Sequence, residues 1–356
     1  MYRCVMSLHG IRTRGVWQKD LAPVLARHGL VPWALDYGRF RADQFLRKGA
    51  RLKKLTWLRT EYERVTAEAQ SKRPSIIAHS FGSYLVAALL TKYPELVFDK
   101  IILTGSIVDR AFDWPALLSK GQVNLVRNDY GALDRVPGLA TWVVGDTGDS
   151  GRQGFTKAHE RLIQQKFPKH GHSDYFHRQH FVQYWIPTLM RVVVSPAERP
   201  RLTNLLDVAA QTVATRLGLS AALVRANIFV PDETGLLHLP EGLSHNMTDP
   251  VEHTVTIAPG NGATGVAFKA RAQTIAIFQK DWGAHTLPGT ELAKVCKRLK
   301  WVVSTPIPDP DMAGGVLGIF NIDGMDVDKP RADLEALLPD LLATAQALAV
   351  TFKELA

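Results

Sequence analysis

Cysteine is nearly absent from this chain, whose 356 residues include only Cys4 and Cys296, far apart in the sequence. Two such distant cysteines form no metal-binding pattern and indicate a reducing compartment. We find no continuous apolar run long enough to span a bilayer. Residues 1–9 are too short and too soon interrupted for a signal peptide. We therefore expect a cytoplasmic protein and, since no cofactor motif is evident, no bound cofactor.

Charge is unevenly spread along the chain. Residues 1–197 carry 29 Lys and Arg against 16 Asp and Glu, a net charge of +13, whereas residues 198–356 carry 14 against 18, a net charge of −4. This asymmetry supports two modules with different partners. The intervening stretch 195–203 has two prolines and mixed charge, as linkers do. We predict one domain over 1–197 and a second over 198–356.

Short apolar strands alternate with helical segments in the first domain. This alternation predicts an α/β fold with a doubly wound, mostly parallel sheet. The pattern predicts helices at 17–28 and 56–70 and another directly after Ser80. The predicted strands are 3–8, 30–35, 74–79, 101–103, 123–126 and 141–144.

The stretch around Ser80 is the most informative one. A β-branched apolar run ends in the sharp turn A-H-S-F-G (78–82), and an apolar segment with helical spacing follows. Strand, tight turn and helix form the setting of a nucleophile elbow, in which the serine hydroxyl stands clear of the backbone. Ala78 replaces the first glycine of G-x-S-x-G. On this motif the sequence resembles the α/β-hydrolase family of serine esterases and lipases.

The resemblance covers residues 1–195 and is to a shortened form of the fold. The family's His-Gly loop normally follows the third strand, whereas here His9-Gly10 follows the first, so the first two strands are missing. The resemblance implies an oxyanion hole formed by the backbone N–H groups of Ile11 and Phe81.

The family's triad runs along the chain in the order serine, acid, histidine. Four histidines follow the last predicted strand, and the resemblance favours His172 as the base, with His177 as the alternative. Asp134 fits best as the acid, because it lies just past a predicted strand and its D-x-V-P resembles the family's acid loop. Asp129 and Asp109 remain alternatives.

A histidine-rich tract can also bind a metal, and His170 with His172 is compatible with zinc. No set of carboxylate or cysteine ligands is evident in the sequence, and Ser80 needs one of these histidines as its base. We therefore predict no metal site.

A basic segment precedes the elbow. Residues 39–54 carry seven Lys and Arg against Asp43, and aromatic and aliphatic residues are interleaved. Such a pattern suits a cap that meets anionic lipid headgroups, so we predict a transient membrane contact through residues 39–58. The alternative is a solvated helix face. No motif supports binding of nucleic acid.

The second domain shows a helix, several strands and a final helix, which predicts an α+β fold. Predicted helices are 202–217 and 334–355, and predicted strands include 226–230, 254–257, 265–268, 301–304 and 315–322. The runs T-G-V-A-F, W-V-V-S-T-P-I and G-V-L-G-I-F-N-I-D resemble a GAF domain. That resemblance implies a small, nucleotide-like ligand or a role in dimerisation.

These patterns together predict a serine hydrolase that cleaves carboxylic esters, lipid esters among them, through an acyl-enzyme on Ser80, with a GAF-like domain as regulator. The alternative is a hydrolase fold without catalysis that serves as a ligand-binding or signalling module, because a fold alone does not establish an activity.

Overall fold

A computed structural model describes residues 3–11, 15–38, 44, 46–136, 148–191, 193–194, 199–232, 234–240, 242–278, 287–310 and 312–355. The chain divides into two compact units, Met1–Met190 and Arg191–Ala356. The predicted boundary at 197/198 lies slightly later in the chain. Val194, which precedes that boundary, packs in the hydrophobic core of the second unit.

The first unit alternates strands with helices. Its strands are β1 (Arg3–Leu8), β2 (Leu30–Leu35), β3 (Ser75–His79), β4 (Phe98–Thr104), β5 (Val123–Gly131) and β6 (Leu162–Phe167). Its helices are α1 (Val16–Arg27), α2 (Lys48–Glu68), α3 (Phe81–Lys92), α4 (Trp114–Ser119), α5 (Ser150–Gln153) and α6 (Arg178–His180), and a π-helical turn (Phe181–Trp185) joins α6 to α7 (Ile186–Met190).

The six strands form one parallel sheet in the order β2-β1-β3-β4-β5-β6. Alternate residues of the central strands face opposite layers. Val5, Ile77 and Ile102 pack with α1 and the helical segment 178–190, whereas their chain neighbours pack with α2 and α3. A parallel sheet buried on both faces explains the near-continuous apolar strands. The predicted doubly wound α/β fold is confirmed.

Two details of this unit differ from the sequence prediction. The sixth strand is Leu162–Phe167, which the sequence did not reveal because its centre, Gln164 to Lys166, is polar. A strand at the sheet edge needs no continuous apolar run. The predicted strand 141–144 lies outside the described residues. Helix α2 begins at Lys48 rather than at 56, because Arg51, Leu55, Leu58 and Tyr62 already bury one helical stripe.

The second unit contains strands β7 (Val224–Pro231), β8 (Leu237–His238), β9 (Ser244–His245), β10 (Thr256–Ile257), β11 (Thr274–Ile277), β12 (Leu299–Pro308) and β13 (Val316–Met325). They form an antiparallel sheet in the order β10-β8-β7-β13-β12-β11, with β9 paired to β7. Its helices are α8 (Arg199–Arg216), α9 (Gly262–Ala270), α10 (Gly289–Leu292), α11 (Arg331–Glu335) and α12 (Leu338–Leu355). The predicted α+β order is confirmed.

The predicted strand at 265–268 is wrong, because these residues lie in α9. Gly265 sits so close to the preceding loop that a Cβ there would approach the carbonyl oxygen of Ala258 to 2.3 Å. The glycine therefore serves close packing of the helix, which a strand-like pattern in the sequence does not reveal.

The C-terminal stretch Arg331–Phe352 is long and apolar enough to cross a membrane by length and composition, which corrects the sequence expectation. In the structure, two residues separate α11 from α12. Leu341, Ala345 and Leu348 of α12 are buried in the core of the second unit. A core helix satisfies the same criterion.

Candidate active site

Ser80 occupies a strained turn between β3 and α3. Its backbone angles, φ 53° and ψ −118°, lie outside the regions that residues with a side chain ordinarily adopt. Such a conformation costs about 1–3 kcal/mol and persists only where the surroundings enforce it. Here the Ser80 N–H donates to the carbonyl oxygen of Thr104 at 3.1 Å, and the Ser83 hydroxyl donates to the carbonyl oxygen of Ser80 at 2.6 Å.

Two glycines let other backbone segments approach this turn. A Cβ on Gly82 would lie 2.9 Å from the carbonyl oxygen of Leu8, and one on Gly10 would lie 2.8 Å from the Cβ of Ser80. The His-Gly loop after β1 therefore lies directly against the elbow. Ala78 is accommodated in place of glycine because it is an ordinary buried strand residue, paired with Leu8 and Leu103.

His172 pairs with Asp134. The Nδ1 atom of His172 lies 2.9 Å from Oδ2 and 3.1 Å from Oδ1 of the carboxylate. Asp134 is fully buried, whereas 20% of the His172 side chain is exposed. The carboxylate also accepts the N–H of Val136 at 3.0 Å. A carboxylate on Nδ1 keeps the proton there and leaves the Nε2 lone pair to act as a base.

The imidazole of His172 lies over the carboxyl ends of β3 and β4. Its ring centroid is 4.6 Å from that of His79, the residue immediately before Ser80. A Cβ on Gly105, just after β4, would lie 2.9 Å from Nδ1 of His172. Ligands of open parallel sheets bind at the carboxyl ends of strands, and the structure brings Ser80, His172 and Asp134 to this edge.

His79 is a buried histidine of this site to which the sequence analysis gave no role, although it stands inside the A-H-S-F-G motif. Its Nδ1 lies 3.1 Å from the carbonyl oxygen of Thr104. Burial, and next the neighbouring His172, hold the pKa of His79 well below its usual value near 6.5. The ring is therefore neutral. Its contact with Thr104 holds it in place, and the ring of His172 packs against it.

Contacts of His9 with Asp36 and Tyr37 fix the His-Gly loop. Nε2 of His9 lies 3.1 Å from Oδ1 of Asp36, and its ring stacks on Tyr37 at 4.3 Å. The Tyr37 hydroxyl donates to the carbonyl oxygen of His9 at 3.1 Å. Ile11 follows this fixed loop, and Phe81 begins α3 beside Ser80. Both predicted oxyanion donors thus lie on segments that border the elbow.

The residues predicted as alternative catalytic base and acids make other contacts. Exposed His177 uses its Nδ1 to accept the N–H of His180 at 3.2 Å, which caps α6. Asp129 accepts a hydrogen bond from Nε2 of His180 at 2.9 Å. Asp109 accepts the N–H of Ala111 at 2.7 Å. Among the described hydrogen bonds, none of the three joins His172, so the structure singles out Asp134 as its partner.

No protein-family model matches the sequence, and no curated protein matches it. Solved structures do resemble each half. A CIB-like hydrolase from Thermoplasma acidophilum is 17% identical over 52% of this chain and 84% of its own, with a TM-score of 0.36. Monoacylglycerol lipase of Paleococcus ferrophilus is 10% identical over 51% and 93%, with a TM-score of 0.35. The GAF domain of an Acinetobacter phosphoenolpyruvate-protein phosphotransferase is 15% identical over 44% and 92%, with a TM-score of 0.31.

The two sheets of the structure, one parallel and one antiparallel, agree with the fold classes predicted from the sequence. The unit with the parallel sheet is thus similar to these hydrolase structures, and the unit with the antiparallel sheet is similar to this GAF domain.

Proposed function

We propose that the first unit is a serine hydrolase that cleaves carboxylic esters, lipid esters among them. The observation that carries this proposal is the pairing of His172 with Asp134 at the same sheet edge as the strained Ser80. A serine is a poor nucleophile unless a base takes its proton, and an imidazole oriented by a carboxylate is such a base.

In this reaction Nε2 of His172 removes the proton of the Ser80 hydroxyl as Oγ attacks the ester carbonyl carbon. The tetrahedral intermediate collapses when the His172 imidazolium gives its proton to the departing alkoxide, which leaves an acyl group on Ser80. The alcohol leaves at this stage. Water then attacks the acyl carbon as His172 takes its proton, and His172 returns that proton to Oγ of Ser80 as the bond to the acyl group breaks and the acid is released. Asp134 stabilises the imidazolium in both steps.

The backbone N–H groups of Phe81 and Ile11 are the proposed donors to the oxyanion. Removal of one such fixed donor from a comparable site costs about 2.7–4 kcal/mol. The contacts that hold Ser80 and His9 support such preorganisation, because both segments are anchored before substrate arrives.

The preference for lipid esters rests on the start of α2. Leu46 and Leu52 are exposed, and basic Arg47, Lys48 and Lys53 are exposed around them. Exposed apolar side chains among cations suit transient contact with an anionic membrane. Sedimentation with phosphatidylglycerol-containing vesicles should bring down the protein at low salt, and pure phosphatidylcholine vesicles should not; equal recovery with both would remove this contact from the proposal.

Labelling by a fluorophosphonate probe tests the proposed hydrolase directly. Wild type should be labelled and should hydrolyse p-nitrophenyl esters, whereas Ser80→Ala should do neither. Ser119→Ala is the matched control, because Ser119 is an exposed serine at the end of α4. An unlabelled, well-folded wild type would favour the catalytically inactive binding module instead.

We also propose that the second unit binds a small molecule. A cavity of about 100 Å³ is walled by apolar residues, and a polar network forms part of its lining. In that network Arg225 donates to Glu252 at 2.8 Å and to Asp323 at 2.6 Å, while Asn227 donates to Asp323 at 3.2 Å. Cavities of this order hold a single ring.

The described charges disfavour the nucleotide-like ligand expected from the sequence. Arg225 is bonded to two carboxylates, and burial raises the pKa of one of them, Asp323. The described charged lining therefore carries no net positive charge and suits an uncharged ligand better than a phosphate. Phenol, an uncharged compound with a single ring, should bind wild type more tightly than cyclic AMP does in isothermal titration calorimetry. Ala263→Phe, which fills the cavity, should abolish phenol binding, whereas Val208→Phe on the exposed face of α8 should not. Tighter binding of cyclic AMP would restore the nucleotide prediction.

A further inference from the structure

Three histidines gather beside the exposed end of β6, apart from the His172–Asp134 pair. His170 follows the strand, His177 precedes α6 and His180 ends it. One ring nitrogen from each lies within 4.8 Å of the others. Three imidazoles are a donor set that proteins use for zinc and related divalent transition metals.

His180 already has the support that a metal-binding imidazole needs. Its Nε2 lies 2.9 Å from Oδ2 of Asp129, so the proton sits on Nε2 and the lone pair on Nδ1. Asp129 is fixed in turn by Arg127 at 2.7 Å and by the indole N–H of Trp185 at 3.0 Å. A carboxylate behind the imidazole sets its tautomer and raises its basicity as a ligand.

Two buried polar atoms around the cluster have no hydrogen-bond partner: Nε2 of His170 and the hydroxyl of Tyr175. Tyr175 is fully buried, and its ring lies 5.3 Å from that of His170 and 5.4 Å from that of His180. Buried polar atoms without partners are rare, and a bound ion is one of the explanations for them. One of these two atoms, Nε2 of His170, belongs to the cluster itself and is therefore a second observation that points to a ligand there.

We propose that His170, His177 and His180 bind one divalent transition metal ion, for which zinc is the best fit. Tetrahedral zinc with bonds of 2.0–2.1 Å needs its nitrogens about 3.4 Å apart, so the rings must close in on the ion. A metal bond through Nδ1 of His177 would replace the 3.2 Å hydrogen bond from the N–H of His180, whereas a bond through Nε2 would leave it intact. Because His177 is exposed, water can complete the coordination.

The ion would act as a clamp on the loop that carries His172. The carbonyl oxygen of His170 accepts the N–H of Leu133 at 3.0 Å, next to Asp134 in the chain. His170 thus connects the loops of both members of the pair. An ion shared with His177 and His180 would tie these loops to α6. This site stands on its own donors and does not depend on the proposed ester hydrolysis.

Metal binding to the full-length chain tests the site. Protein stripped with EDTA and dialysed should take up one Zn²⁺ per chain in competition with a chromophoric chelator. Co²⁺ should give the intense visible bands of a tetrahedral site. His170→Ala and His177→Ala should each weaken zinc binding by about 100-fold or more, because loss of even an outer partner costs 10–100-fold. Zn²⁺ should raise the melting temperature of wild type and not that of His177→Ala.

Two controls make the result decisive. His159→Ala loses an equivalent contact, since Nδ1 of His159 accepts the N–H of Arg161 at 3.0 Å, but it leaves the cluster intact and should bind zinc as wild type does. His172→Ala should also retain binding, which separates this site from the pair with Asp134. Failure of wild type to bind Zn²⁺ in the micromolar range would overturn the proposal, and so would wild-type affinity in both His170→Ala and His177→Ala.

Discussion

Two of the imidazole–carboxylate pairs in the first unit have the same closest distance and different surroundings. His172 with Asp134, the exposed pair, and His180 with Asp129, the buried pair, both have their closest contact at 2.9 Å. The His172 side chain is 20% exposed, and that of His180 is 1% exposed. Distance alone therefore does not separate a candidate catalytic pair from a structural one.

The remaining bonds of each carboxylate make the difference. Asp129 accepts bonds from three side chains, those of Arg127, His180 and Trp185, all nearly inaccessible to solvent. Asp134 accepts hydrogen bonds from one side chain, that of His172, and from one backbone N–H. A carboxylate in a saturated buried network holds structure, whereas one devoted to a partly exposed imidazole can serve a base that must accept and release protons.

The largest expected effect separates the two histidines. His172→Ala should lower the kcat of ester hydrolysis by about 10⁶, and the double variant with Ser80→Ala should be little worse, because triad members act as a unit. His159→Ala, outside both pairs, should keep the wild-type rate. Steady-state kinetics on a p-nitrophenyl ester measures this. Full activity in His172→Ala together with loss in His177→Ala would move the base to the alternative histidine.

The next largest effect is the difference in activity between variants of Asp134 and of Asp129. Asp134→Asn should lower kcat by about 10⁴ with little change in folding, since the amide no longer holds the correct tautomer of His172. Asp129→Asn should cost far less in kcat for the fraction of protein that is folded. The measurement is kcat with circular dichroism as the folding control. A mild Asp134→Asn beside a damaging Asp129→Asn or Asp109→Asn would contradict the assignment.

Substitution of the same two aspartates should have the opposite ranking for stability, with the larger loss at Asp129. Asp129→Ala should lower the free energy of unfolding by about 3–5 kcal/mol, because it leaves the buried Arg127 charge without its carboxylate. Asp134→Ala breaks hydrogen bonds only to a partly exposed ring and a backbone N–H, so about 1–3 kcal/mol is expected. Urea denaturation followed by fluorescence compares them. Equal losses would show that the two environments do not differ energetically.

The smallest effect concerns His79 beside the exposed pair. Burial lowers the pKa of His79 in the folded chain, so the unfolded chain binds the extra proton first as pH falls below about 6.5. Stability should therefore fall below that pH, by at most about 1.4 kcal/mol per unit from this residue. His79→Gln, which keeps a donor for Thr104, should show a shallower decline between pH 6.5 and 5.0. Identical slopes would mean that His79 titrates normally.

Much of the site could be predicted from chain order. Ser80, His172 and Asp134 were named from the elbow motif and the order of the family's triad, and the structure brings all three to one sheet edge. The choice between Asp134 and Asp129 needed the structure. Both follow the same predicted strand core, but Asp129 still belongs to β5 and faces His180, whereas Asp134 lies in the turn beyond it.

The histidine tract shows the same limit. The sequence grouped His170 with His172 as a candidate metal pair, because they are close in the chain. The structure instead groups His170 with His177 and His180, and gives His172 to Asp134. Because a helix begins at Arg178, His170 and His180 lie in one cluster although they are ten residues apart in the sequence. Spacing along an irregular loop does not predict such a contact.

The sequence by itself determined the two folds, the buried strands and the elbow, because hydrophobic periodicity and turn chemistry are local properties of the chain. Tertiary structure decided what depends on neighbours distant in sequence. It placed the polar strand β6 at a sheet edge and made residues 265–268 a helix packed against a loop. It also gave His172 and His180 their carboxylates, since the partner of a side chain is set by which elements pack together and not by the residues beside it.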